Sequence, residues 1–155
     1  MKNVEVARQL QQLRSLMQTA TAATPDLGLR AHWARYFCVL ASGLLENAIT
    51  EIYSEFVQRS SHPAVANYSV SRLQRIQNPK ADKFVETARS FSQSWGDALE
   101  GFLAIDGRKD AIDSIMNLRH QIAHGKNVGV SVVRIRDYID LAEKVLEFIE
   151  GQVRP

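Results

Sequence analysis

One cysteine, Cys38, in 155 residues excludes a disulfide framework, a CxxC redox site and a cysteine-built zinc cluster. It stands inside an apolar segment, where a free thiol is ordinarily a small buried hydrophobe rather than a nucleophile. Long hydrophobic runs are missing as well. None reaches the roughly 18–20 residues needed to span a bilayer, and the chain does not open with the basic-then-apolar order of a secretory signal. A cytoplasmic protein with no membrane contact is the expectation. Excess charge of one sign is also absent: 19 basic against 17 acidic residues leave a net +2. That is too little to mark a nucleic-acid binder, though a local basic patch stays open. β-rich sequence is thin, and its one piece, Val128 to Val133, is interrupted by Gly129 and suits a loop followed by a cap. No repeat, low-complexity tract or long linker divides the chain. Residues 1–155 therefore read as one domain, long enough to bury a core without covalent help.

What is present is helical periodicity. Val6, Leu10, Leu13, Met17 and Ala20 predict a first amphipathic helix over about 3–20, broken by Ala23-Thr24-Pro25-Asp26-Leu27-Gly28. A long helix follows from about Leu29 to Arg59. Trp33, Phe37, Leu40, Ala41, Leu44, Ala48 and Ile52 recur at three- and four-residue steps, while Val39, Ile49 and Tyr53 make it apolar on other sides. It reads as the central helix of a bundle. Residues 60–79 are the least regular, with at most a short helix starting near Ser69. Phe84, Ala88, Phe91 and Trp95 form the next stripe and Ala98, Leu99, Phe102 and Leu103 another, with Gly96 as the candidate bend. Helix resumes near Arg108 after the Asp106-Gly107 turn and stops at Gly125, which suits a left-handed position. Ser131 is the expected N-cap of a last helix whose core face is Ile135, Tyr138, Ala142, Val145, Leu146 and Ile149. The fold class is all-α.

One run looks like chemistry: Arg119-His120-Gln121-Ile122-Ala123-His124-Gly125. At about 100° per residue, Ile112, Ile115, Met116, Ile122 and Ala123 share an apolar stripe with Arg119 at its centre. Asp113, Asn117, His120 and His124 share a polar stripe about a quarter-turn away. An arginine in an apolar stripe needs compensation. Glu51 of the long helix could supply it as a structural ion pair, or the stripe could border a cleft or subunit interface where Arg119 meets an anion. Both readings stand open. His120 and His124 have metal-clamp spacing, but Gln121 replaces the glutamate of a zincin helix and no third ligand follows, so no metal is expected. His124, beside the helix's negative end, suits an imidazolium and proton transfer, or merely caps carbonyls. Arg108, Lys109, Arg119, Lys126, Arg134 and Arg136 outnumber Asp110 and Asp113 between 108 and 136. Beyond Arg136 the charge turns acidic at Asp137, Asp140, Glu143, Glu147 and Glu150. A phosphate-bearing partner fits that patch, and so does a solvated mixed face.

At these residues the chain resembles the HEPN superfamily (higher eukaryotes and prokaryotes nucleotide-binding), whose mark is an RX4-6H motif closing a helix. The phrase Arg119 to Gly125 with Val130-Ser131, and Trp33-Ala34-Arg35-Tyr36 with Leu44-Leu45-Glu46-Asn47-Ala48 on the long helix, are similar to RiboL-PSP-type domains of prokaryotes. The similarity spans about 29–152. It implies a metal-independent, cofactor-free endoribonuclease acting as a homodimer, with motifs from two subunits facing one RNA. Arg119 would hold the scissile phosphate and His124 would move protons, leaving a 2′,3′-cyclic phosphate. Glu46 resembles an acidic residue that several members place near the motif. Asn117, His120, Lys126, Arg134 and Arg136 are candidate supporting or RNA-binding groups. Many active members carry asparagine directly after the arginine, where His120 stands here. Toxin–antitoxin and antiphage systems, with an antitoxin or defence protein as partner, are common settings for the family. A catalytically silent module binding RNA, nucleotide or protein is the alternative. A plain structural bundle is the third reading.

Overall fold

The computed structural model describes residues 1–154, and seven helices account for its regular structure, with no strand among the described residues. Helix α1 (Val4–Ala23) starts where Asn3 Oδ1 accepts the Val6 amide at 3.0 Å. Its entry is tied to the far end of the chain. The Glu150 carboxylate, only 3% exposed, accepts the backbone amides of Lys2, at 2.6 Å, and Asn3. A carboxylate facing the first amides of a helix satisfies orphan donors and complements the positive end of the macrodipole.

Helix α2 (Leu27–Ser60) begins at Asp26, whose side chain accepts the Leu29 amide at 2.8 Å. Its buried residues, from Ala34 and Phe37 through Leu45, Ile49 and Tyr53 to Val57, surround much of the helix, and α1, α3, α6 and α7 all pack on it. The central position read from the sequence is thus the observed one.

Residues 60–79 are more ordered than expected. Helix α3 (Pro63–Leu73) forms with His62 as cap and Pro63 in its first turn, where proline's missing amide costs nothing. Only Ala66 and Leu73 are buried, so no apolar stripe announces it. The following pair, α4 (Ala81–Phe91) and α5 (Gln93–Leu103), is divided at Ser92, whose backbone is extended, not at Gly96. Gly96 does something else. A β-carbon there would lie 2.6 Å from Arg89 Cβ, so the glycine is what lets α5 pack directly on α4.

Helices α6 (Arg108–Ala123) and α7 (Val132–Val153) complete the bundle. Ser131 caps α7 by accepting the Arg134 amide at 3.1 Å, as expected. Phe102 stacks on Phe148 at 4.2 Å and Tyr53 on Phe91 at 4.9 Å, closing the core between the shorter helices and the long ones. Helices α2 and α6 run in opposite directions: Cys38 meets Ile115, while Arg35 meets the loop after α6. That loop carries the site.

Candidate functional site at the end of helix α6

Helix α6 ends in a Schellman motif. The Gly125 amide donates to the Ile122 carbonyl and the Lys126 amide to the Gln121 carbonyl, each at 3.0 Å, with Gly125 at φ +69°. His124 is the capping residue. Its backbone has left helical geometry (φ −91°, ψ 15°), yet its amide still donates to the His120 carbonyl at 3.1 Å. The two imidazoles therefore remain neighbours, with ring centroids 4.3 Å apart and planes at 60°. Both are exposed.

The loop beyond is pinned from α2. Arg35 donates through Nε to the Val128 carbonyl (3.2 Å) and through Nη2 to Asn127 Oδ1 (2.7 Å). Val128 is buried, and Val130 packs against the core before Ser131 opens α7. Sequence reasoning missed Arg35 and Asn127 as anchors. The signal was the Trp33-Ala34-Arg35-Tyr36 phrase, read only as part of a resemblance, whereas its arginine physically holds the motif's loop.

Arg119 lies half-buried in the last turns of α6. Glu51 does not compensate it. Glu51 is exposed on α2, and no hydrogen bond or ion pair reaches the Arg119 guanidinium among the described residues. The backbone beneath is occupied instead by Cys38. Its thiol donates to the Ile115 carbonyl at 3.5 Å and lies against the Arg119 amide. Burial pushes the Cys38 thiol up to about 11, partly offset by that amide, so it is a packing group and not a thiolate nucleophile. Ala123, assigned to the apolar stripe from the wheel, is exposed because the helix ends just there.

Other candidates divide. Asn117 is exposed on the face of His120, and Lys126 is exposed beside the turn. Glu46 is engaged elsewhere: its carboxylate accepts the Asn78 amide at 2.5 Å, pinning a residue at φ +47°. No hydrogen bond or ion pair joins it to Arg119 or His124. Asp113 accepts the Ala81 amide at 2.8 Å and faces Lys109 at 3.2 Å.

The basic patch read from the sequence is smaller in space. Lys109 is paired with Asp82 at 2.6 Å as well as with Asp113, and the hydrogen bond to Asp82 is the main reason its ammonium is held above the usual lysine range. Arg108 is tied to Asp106 and the Phe102 carbonyl and lies over the Phe102 ring. Arg134 leans over Tyr138, while Arg136 turns toward α1 beside Arg14 and Met17. Among the described residues no ion pair engages Arg119 or Lys126, the cations that flank His120 and His124 in the sequence. A groove of about 690 Å³ between α4, α5 and α6 is lined by Asp82, Glu86, Arg89, Glu100 and Lys109, and includes none of the motif residues.

No helix is long and apolar enough to cross a membrane. The arrangement offers a half-buried guanidinium, two exposed imidazoles and one ammonium on a stiff turn. Groups of these kinds can bind a phosphodiester and move protons around it.

A family model described as RiboL-PSP-HEPN matches residues 5–154, so the likeness takes in α1 as well as the stretch from Leu29. No curated protein and no solved structure matches the chain. HEPN domains are associated with nuclease and other RNA-related roles and are often dimeric. With nearly the whole chain covered and the motif's arginine and histidine both present at the end of α6, this all-helical bundle belongs to the RiboL-PSP type of the HEPN family.

Proposed function

We propose that the protein is a metal-independent endoribonuclease that cleaves RNA by attack of a ribose 2′-hydroxyl on the adjacent phosphorus. The observation that carries this reading is Arg119: half-buried, without a counter-charge among the described residues, at the end of the helix that His124 caps. Leaving a guanidinium partly desolvated and unpaired costs stability, and an anionic substrate recovers that cost. Arg119 would contact a non-bridging phosphate oxygen and stabilise the charge that grows on it in the transition state. His124 would take the 2′-hydroxyl proton or give one to the departing 5′-oxygen. His120, Asn117 and Lys126, exposed around it, would hold the flanking backbone. Arg134, Arg136 and Glu46 would act further from the reacting phosphate.

At about 100° per residue, Arg119 and His124 of one copy would project about 140° apart on a regular helix, so a second copy would help to bring both kinds of group to one phosphate. A homodimer places a second copy of the turn opposite the first, and each RNA phosphate then meets groups from both chains. We assign the composite site to such a dimer. A role as the toxin of a toxin–antitoxin pair, or within antiphage defence, fits a nuclease of this family.

The test is incubation of labelled single-stranded RNA with purified protein in EDTA, beside Arg119→Ala and His124→Ala. Wild-type fragments should carry 3′ ends one water lighter than a linear phosphate, and both variants should be silent. Cleavage that survives in both would point to a contaminant and end the proposal. One observation favours a second reading. His120 occupies the place where many active members have asparagine, so RNA retention without cleavage would identify a binding module for RNA, nucleotide or protein.

A further inference from the structure

We infer that His120 and His124 form a two-point site for Zn²⁺, and that its occupancy silences the turn. The binding half stands on geometry alone. The silencing half rests on the role proposed above for His124.

Both imidazoles are exposed, and no hydrogen bond or ion pair to a described residue uses either ring. Their centroids are 4.3 Å apart with planes at 60°. Two imidazoles bound through nitrogen to one tetrahedral zinc at about 2.1 Å have ring centres roughly 5 Å apart, close to the observed spacing, and rotation of the exposed side chains would aim one nitrogen of each at a shared point. The backbone is already fixed for it. The His124 amide bonds the His120 carbonyl, and the Schellman bonds of Gly125 and Lys126 hold the capping residue in place. Little ordering is left to do on binding, which favours affinity.

The surroundings set the class of metal. No group of three or more histidine, cysteine or carboxylate side chains assembles a closed centre among the described residues. Asp113, the nearest carboxylate on the same stripe, is already held by the Ala81 amide and Lys109. Water would fill the remaining positions, making the site exchangeable rather than structural. Arg119 directly precedes His120 and Lys126 follows His124 by two residues, and both oppose a cation on charge grounds. A hard ion held by charge, Mg²⁺ or Ca²⁺, is therefore excluded, while an ion that bonds well to imidazole is retained. Coordination uses the nitrogen lone pair of each neutral ring, and a protonated ring gives its proton to solvent. The lone pair that His124 needs to accept a proton is then occupied.

The experiment uses the full metal-free chain and ZnCl₂ alone, followed by calorimetry and by the histidine ring protons in NMR. One ion per chain should bind, with shifts confined to the His120 and His124 rings. Either His120→Ala or His124→Ala should weaken binding at least about tenfold, as loss of a direct ligand must exceed the effect of losing an outer partner. His62→Ala should leave binding unchanged, and MgCl₂ should move nothing. Equal binding by all variants, or shifts at His32 and His62 instead, would overturn the site. In the RNA assay, cleavage should fall with the same zinc midpoint as binding and return on adding EDTA. Cleavage that continues at saturating zinc would overturn the silencing. Zinc bound at the two rings in a protein that never cleaves RNA would sink the nuclease reading and leave the metal site standing.

Discussion

Replacing Arg119 by methionine separates a structural arginine from a functional one. If the guanidinium were the buried half of an ion pair, removing it would strand its partner and cost about 3–5 kcal/mol. The structure gives it no partner among the described residues and leaves it only partly buried. Methionine keeps an unbranched apolar stem of similar reach, so the packing made by the arginine's methylenes survives. What is lost is a partly desolvated charge that nothing offsets. The expected change in unfolding free energy is therefore within about 1 kcal/mol of zero, of either sign. The same substitution removes the group assigned to the phosphate, and cleavage should fall by about 10²–10³, the usual effect of deleting one donor to a developing anion. The measurement is urea unfolding followed by circular dichroism at one fixed protein concentration, beside RNA cleavage by the same preparation. A stability loss above about 2 kcal/mol would show that Arg119 holds the fold together, and the argument from its lack of a partner would fail. Unchanged cleavage would be equally damaging, since the turn would then work without its arginine.

Two glycines should respond to alanine for different reasons. Gly125→Ala meets no atom within 4 Å but must adopt φ +69°, a cost of about 1–2 kcal/mol in a urea melt. Gly96→Ala gains helix propensity and is nevertheless destabilising, by about 1–3 kcal/mol, because its Cβ would collide with Arg89 Cβ. Arg35→Ala releases the Asn127–Val128 loop, so amide exchange should rise at 127–130 but not within α6, with cleavage reduced. The hydrogen bond from Arg154, with a further one from Asn3, holds the Glu55 carboxyl below the usual carboxylate range. Its folded state thus favours the carboxylate, and that stabilisation is present above the ordinary value and lost as pH falls through the depressed one. Glu55→Gln should cost under about 1 kcal/mol near neutrality, the contact being partly solvated, and the cost should shrink as pH falls through the depressed value. Binding of single-stranded RNA should weaken only shallowly with salt. With Arg119 and Lys126 from each of two chains the log–log slope is roughly −3, and a slope twice as steep would mean that the paired cations also engage.

The features legible in the sequence were those set by local rules. The left-handed Gly125, the Ser131 cap and the many-sided burial of α2 follow from residue type and spacing over a few turns. What escaped depended on partners far along the chain. Arg35 and Asn127 are 92 residues apart, and nothing near either announces their bond. Lys109 lost its place in the basic patch to Asp82, 27 residues away on α4. Helix α3 escaped because its short sequence buries only two residues, and periodicity detects burial rather than helicity. Gly96 misled in a different way. A glycine in an apolar run suggests a bend, but here it is a point of close approach, and the break falls at Ser92. The Glu51 pairing failed because a helical wheel gives a residue's direction and not its distance from a neighbouring helix.

The same contrast separates the turn from its side chains. The segment 121–131 is held at both ends and in its middle, by the Schellman bonds, by the Ser131 cap and by Arg35 on the Val128 carbonyl. Cys38 seals the backbone beneath Arg119. The side chains at the end of α6, Arg119, His120, His124 and Lys126, are the ones left without a hydrogen-bond or ion-pair partner among the described residues. A segment stabilised for its own sake would show the reverse, with charged side chains neutralised as they are around Lys109 and Arg89. A rigid frame displaying unsatisfied polar groups cannot lower its own energy by rearranging, so those groups remain available to something outside the chain. By helical phase Arg119 and His124 project to different sides, so a partner that touches the turn from two directions would use both. A flexible phosphodiester wrapped between two copies of the turn can do so, whereas a small anion seated on one copy meets only half of the groups displayed.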